Sequence, residues 1–128
     1  MIKNWVYYMA KNKKELGNWG ENLAASYLVS RGISILGRNV RTNYGELDII
    51  GTCQGMTIFF EVKTRRSDTF GYPEDAISAV KRIHLMNSAE SYLQDHPDLP
   101  DQWRIDVIAI NLKRGKSPEI EWIENAVS

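Results

Sequence analysis

The 128-residue sequence holds a single cysteine, Cys53, so neither a disulfide framework nor a thiolate zinc site can be built from it. No stretch approaches the ~20 apolar residues of a membrane span, and the apolar run from Trp5 to Ala10 is shorter than the ~7–15-residue core of a signal peptide. Internal repeats, low-complexity tracts and Pro/Gly/Ser-rich linkers are missing, which leaves one domain as the expected organisation. Formal net charge is also missing: 16 basic residues face 16 acidic ones, so no global cationic field announces a polyanionic partner. These absences predict a cytoplasmic protein without a membrane partner. What is present is an ordinary globular composition, 43% hydrophobic and 25% charged, with its charge unevenly spread. Ten basic and five acidic residues precede Ser67, and six and eleven follow, so a neutral molecule can still carry a basic face.

Met1 to Lys13 lacks a clear period and reads as an N-terminal arm, with residues 14–128 as the domain. From Lys14 to Arg31, Leu16, Gly20, Leu23, Ala24, Tyr27 and Leu28 recur at helical spacing, and Gly32 stands where a left-handed C-terminal cap is expected. Ile33 to Val40, Glu46 to Ile50 and Met56 to Thr64 read as three strands of an antiparallel meander, with turns at Asn43-Tyr44-Gly45 and Gly51 to Gly55. After Arg65 to Pro73, the set Ala76, Val80, Ile83, Met86 and Leu93 predicts a second helix ending near His96-Pro97. Trp103 to Leu112 and Pro118 to Ile123 complete the order α-β-β-β-α-β-β, an α/β fold with a mixed central sheet flanked by helices.

The chemistry lies in charges set where a sheet wants apolar residues. Side chains alternate along a strand, so Ile58, Phe60 and Val62 share one face of the third strand, and Phe59, Glu61 and Lys63 share the other. The same rule groups Glu46, Asp48 and Ile50, and the hairpin brings Asp48 opposite the Glu61 region. Two carboxylates and a lysine thereby converge. Carboxylate oxygens are the hard ligands Mg²⁺ prefers, and a lysine beside them can position a nucleophilic water or neutralise a phosphate. Glu21, at the edge of the apolar stripe of the first helix, is a fourth member of this group, and Gly17 and Gly20 would let that helix approach the sheet or a phosphate closely.

The segments Gly17-Asn18-Trp19-Gly20-Glu21, Arg38-Asn39-Val40-Arg41, Gly45-Glu46-Leu47-Asp48-Ile49-Ile50, Glu61-Val62-Lys63-Thr64-Arg65 and Arg104-Ile105-Asp106-Val107 occur in the order seen in the YraN-type family of small bacterial proteins, which this chain resembles. That family in turn resembles the PD-(D/E)xK nuclease superfamily and archaeal Holliday-junction resolvases, with their restriction-endonuclease-like fold. The resemblance implies a Mg²⁺- or Mn²⁺-dependent endonuclease acting on DNA, with branched or junction DNA as a candidate substrate. Asp48, Glu61 and Glu21 would be metal ligands, and Lys63 would complete the catalytic set. Leu47 replaces the proline of the superfamily's name. Symmetric cutting of a junction would suit a homodimer. The alternative function is a non-catalytic nucleic-acid-binding module that has kept the nuclease-like fold.

Arg38, Arg41, Arg65 and Arg66 flank the proposed site in sequence and, with Lys81 on the second helix, are the candidate phosphate contacts. Glu46 reads as solvated. His84 and His96 lack partners at metal-ligand spacing, Asp106 is expected to pair with Arg104 or a turn, and Trp5, Trp19, Trp103 and Trp122 read as core or interface residues.

Overall fold

The computed structural model describes residues 12–66 and 77–127. Most of the arm expected at the N-terminus, and Ala76 of the expected second helix, lie outside the described residues. The elements follow the order α1 (Lys13–Ser30), β1 (Ser34–Thr42), β2 (Gly45–Cys53), β3 (Met56–Arg66), α2 (Ala79–Asp95), β4 (Trp103–Leu112) and β5 (Glu119–Val127). They form an α/β fold with one mixed five-stranded sheet of order β1-β2-β3-β4-β5. The β3/β4 pair is parallel and the other three are antiparallel.

Local chemistry sets the element ends. Asn12 caps α1 by accepting the amides of Lys14 and Glu15 at its Oδ1. Gly32, at φ 91°, ends the helix in the left-handed region, as its position in the sequence predicts. Ser78 caps α2 through the amide of Lys81. The β2–β3 turn is tighter than expected, because β2 continues through Cys53 and only Gln54 and Gly55, both at positive φ, make the reversal. Cys53 is thus a strand residue rather than a loop residue.

The helices cover opposite faces of the sheet. On one, Ala24 and Leu28 of α1 pack with Ile49, Ile58, Phe60, Ile108 and Ile110. On the other, Leu85 and Ala89 of α2 pack with Leu47, Ile50, Phe59, Ile105 and Val107. With both faces covered, β4 is buried continuously from Ile105 to Ile110. The inward stripe of α2 differs from the expected one: Val80 and Ile83 are exposed, and Leu85, Ser88 and Ala89 face the core. Their spacing fits a helix, but Val80 and Ile83 lie on the side of α2 that turns away from Leu85 and Ala89.

Asp106 is fully buried and works as a structural clip. Its carboxylate accepts from Arg104 Nε at 2.9 Å, Trp122 Nε1 at 2.8 Å and the Asn125 amide at 2.8 Å. It satisfies the backbone where the β4–β5 register shifts between Ile105 and Val107. The rings of Trp122 and Trp103 pack edge-on against Phe60 and Phe59, which confirms both tryptophans as core residues.

The feature that positions the candidate site is the divergence of β2 from β3. Their ladder runs from Cys53↔Met56 to Ile49↔Phe60 and stops before Asp48 and Glu61, while β3 continues beside β4 to Arg66↔Leu112. The alternation of β2 also breaks there, because Leu47 and Ile50 enter the same core cluster while Ile49 enters the opposite one. The face shared by Glu46, Asp48 and Ile50, expected from strict alternation, is therefore interrupted at Asp48. The strands splay into a wedge, and α1 closes one side of it.

Candidate metal and nucleic-acid site

The wedge opens into a cavity of about 770 Å³ lined by Glu21, Asp48, Glu61 and Lys63, together with Lys13, Gly17, Thr64, Arg65 and Arg66. All four residues expected to carry the chemistry therefore line one space. Asp48 replaces the missing ladder bond with its own side chain, its Oδ2 accepting the Val62 amide at 2.9 Å. This bond ties the aspartate of one strand to the backbone between Glu61 and Lys63 of the other. Gly20 sets how closely α1 approaches, because a Cβ there would overlap the side chain of Thr64. The expected close approach thus belongs to Gly20. At Gly17 a Cβ would meet nothing within 4 Å among the described residues.

The carboxyl groups resist ionisation. Burial pushes the Glu61 carboxyl up to about 8, helped by the negative charge of Asp48 and opposed by Lys81 and Lys63. Asp48 is raised chiefly by burial, against the lowering effect of the Val62 amide. Glu21 is raised by burial and then by Asp48, with Arg38 opposing. Glu61 Oε2 and Glu21 Oε1 are buried without a hydrogen-bond partner among the described residues. An uncompensated buried acceptor is costly, and a divalent cation is a partner that would satisfy Glu61 Oε2 beside Asp48.

The donor set fits a hard divalent cation, with Asp48 and Glu61 as its core. Glu21 stands farther out: its Oε1 lies 3.8 Å from Arg38 Nη2, and among the described residues no three His, Cys, Asp or Glu side chains converge into a complete cage. Mg²⁺ needs no such cage, since it commonly takes one or two carboxylates and completes its shell with water and phosphate oxygens.

The basic residues divide. Arg65 and Arg66 line the cavity beyond Lys63. Lys81 reaches Glu61 instead, with Nζ 3.7 Å from Oε1. Arg38 holds Glu21 and donates to Asn22 Oδ1 at 2.7 Å, while Arg41 pairs with Glu46 outside the cavity. His84 and His96 are exposed and neither lines the cavity. Lys13 and Thr64 were not singled out from sequence. Lys13 belongs to an aperiodic segment, and the importance of Thr64 arises from the approach of a helix distant in sequence.

The profile of the Uncharacterised protein family UPF0102 matches residues 20–110, a span containing Glu21, Asp48, Glu61, Lys63 and Lys81. The chain belongs to the UPF0102 family. A UPF0102 protein of Syntrophotalea carbinolica is 43% identical over 118 residues, covering 92% of this chain and 95% of the relative. Others from Dehalococcoides mccartyi and Syntrophomonas wolfei are 42% and 45% identical over 119 and 113 residues, covering 93% and 88% of this chain and 98% and 97% of the relatives. The UPF0102 profile match thus spans the wedge between β2 and β3 and the sheet as far as Ile110 in β4. Among the described residues of this UPF0102 member, no helix is long and apolar enough to cross a membrane.

Proposed function

We propose that this protein is a Mg²⁺- or Mn²⁺-dependent endonuclease that hydrolyses phosphodiester bonds in DNA. The observation that carries this reading is the pairing of Asp48 with Glu61 in one cavity, where Glu61 Oε2 is buried and unpartnered and Lys63 follows on the same strand. The order of these residues along the chain, which resembles that of the PD-(D/E)xK nucleases, supports the same reading. Asp48 and Glu61 would hold the cation, with Glu21 beside them to bind a second ion or orient water. When bound, the cation supplies positive charge to the developing phosphorane and acidifies its water.

The remaining work belongs to the protein's own groups. Lys63 would position the attacking water and offset the charge gathering on the phosphate. Arg65 and Arg66, farther along the same cavity, would grip phosphate oxygens of the substrate backbone. The Val62 amide fixes one Asp48 oxygen, which preorganises that carboxylate for coordination.

A second reading is a binding module without turnover, in which Arg65 and Arg66 of the cavity hold phosphates and no bond is cut. One assay separates the two. Labelled single-stranded, nicked and branched DNA is incubated with the protein and Mn²⁺. Endonuclease action predicts products that disappear with chelator and with Asp48→Ala or Lys63→Ala. A binding module predicts retained DNA affinity and no product.

A further inference from the structure

We infer that a single unpaired polynucleotide strand lies across Gly17, between the first turns of α1 and the outer half of β3, with Lys13 contacting its phosphates. This rests on the endonuclease reading and specifies the substrate that the same cavity would admit.

The starting observation is a glycine that neither packing nor backbone explains. Gly17 lies inside α1, where glycine weakens a helix by leaving more backbone freedom to be lost on folding. Gly20, one turn later, has a structural reason to be glycine, because Thr64 occupies the space a Cβ would need. Gly17 has none among the described residues: its φ is not in the left-handed region, and a Cβ would meet none of their atoms within 4 Å. The space it leaves open is part of the cavity that holds Asp48 and Glu61.

That wall is held in place. Leu16 is buried against Leu112 at the end of β4, with Trp19 beside them, so the first turns of α1 are anchored to the sheet. Lys13, Leu16, Gly17 and Glu21 recur at three- and four-residue steps and face the cavity as one stripe, ~12 Å long from Lys13 to Glu21 at ~1.5 Å per residue. Opposite, Lys63, Arg65 and Arg66 extend outward along β3 from Glu61. The cavity is therefore acidic at its inner end and basic toward its mouth. This polarity suits a backbone that presents one phosphate to the carboxylate pair and the following phosphates to cations.

An independent sign of a ligand comes from the inner end. Glu61 is only 8% exposed, and its Oε2 has no hydrogen-bond partner among the described residues. At about 770 Å³ the space has the size of a small-ligand pocket, ~300–1,000 Å³, which matches a short run of one strand.

The test is fluorescence anisotropy of labelled single-stranded and blunt duplex DNA in Ca²⁺, read together with thermal melting of each variant. Wild type should bind the single strand more tightly than the duplex. Gly17→Leu should bind the single strand at least tenfold more weakly while melting no lower than wild type. Ser26→Leu, about two and a half turns along on the opposite exposed side of α1, should bind as wild type does. Lys13→Gln provides a second readout that leaves the wall unobstructed. It should reduce the slope of log affinity against log salt by about 0.7, the loss of one phosphate contact to a single strand. Wild-type affinity in Gly17→Leu together with an unchanged salt slope in Lys13→Gln would overturn the inference and leave the endonuclease reading standing. Exclusive binding of duplex would also overturn it. If wild type bound no DNA at all, both readings would fall.

Discussion

Replacing Glu61 with glutamine should make the protein more stable at alkaline pH and leave it nearly unchanged in acid. The Glu61 carboxyl titrates near 4.5 in an unfolded chain and at about 8 in the folded one, chiefly because it is buried and then because Asp48 lies beside it. Between these values the folded chain keeps a proton that the unfolded chain releases. The stability supplied by the protonated carboxyl is whole below about pH 4.5 and is lost as pH rises through about 8. At ~1.4 kcal/mol per pH unit, that window sets a ceiling of ~5 kcal/mol. An amide of the same shape never ionises, but it must be desolvated and loses the Lys81 ion pair, which leaves a gain of ~1–3 kcal/mol at pH 8.5. For a domain of this size the gain corresponds to a melting temperature ~5–10 °C higher. Thermal denaturation of wild type and Glu61→Gln from pH 4.5 to 9 checks this. Equal melting differences at pH 5 and pH 8.5, or a less stable variant at pH 8.5, would refute the reasoning. The comparison has a functional side, since a carboxylate kept at a stability cost is what a cation site requires.

Three other outcomes follow from the same structure. Calorimetric titration should show Mn²⁺ affinity rising about tenfold per pH unit up to about pH 8 and levelling above it, because the cation must displace the proton held by Glu61; a flat profile from pH 6 to 9 would contradict this. Gly17→Ala and Gly20→Ala should move stability in opposite directions by denaturant unfolding. The first should gain ~0.5–1 kcal/mol of helix propensity, and the second should lose ~1–3 kcal/mol through its overlap with Thr64. Asp106→Ala should cost ~3–5 kcal/mol, because it strands Arg104, the Trp122 indole and the Asn125 amide together; a loss below ~1 kcal/mol would show that the clip is dispensable.

Much of this was legible in the sequence wherever local pattern and tertiary environment agree. β4 begins and ends at Trp103 and Leu112, as its apolar run predicts, and the two faces of β3 follow strict alternation, with Phe59 and Phe60 in opposite cores. Alternation failed at Asp48, where β2 leaves β3 and a side chain takes the place of a ladder bond. That irregularity depends on where two strands part, which no single-strand period encodes. Thr52 and Cys53 read as loop because Gly51 precedes them, yet the two-residue turn at Gln54-Gly55 lets the strand continue. Asp48, Glu61 and Lys63 were recognisable because they set charge where a sheet wants apolar residues, and Glu21 joined them from the edge of the apolar stripe of its helix and through the family resemblance. The neighbours that modulate them were not, since Lys81 beside Glu61 and Thr64 beneath Gly20 are brought there by helices far away in sequence.

The most direct test of the metal site is a crystal soaked in Mn²⁺ and measured for anomalous scattering. We expect a peak within ~2.0–2.3 Å of carboxylate oxygens of both Asp48 and Glu61, on the side facing Lys63, and its loss in Asp48→Asn. A peak elsewhere, or a cavity without one at saturating Mn²⁺ above pH 8, would contradict the assignment of these two carboxylates as a cation site.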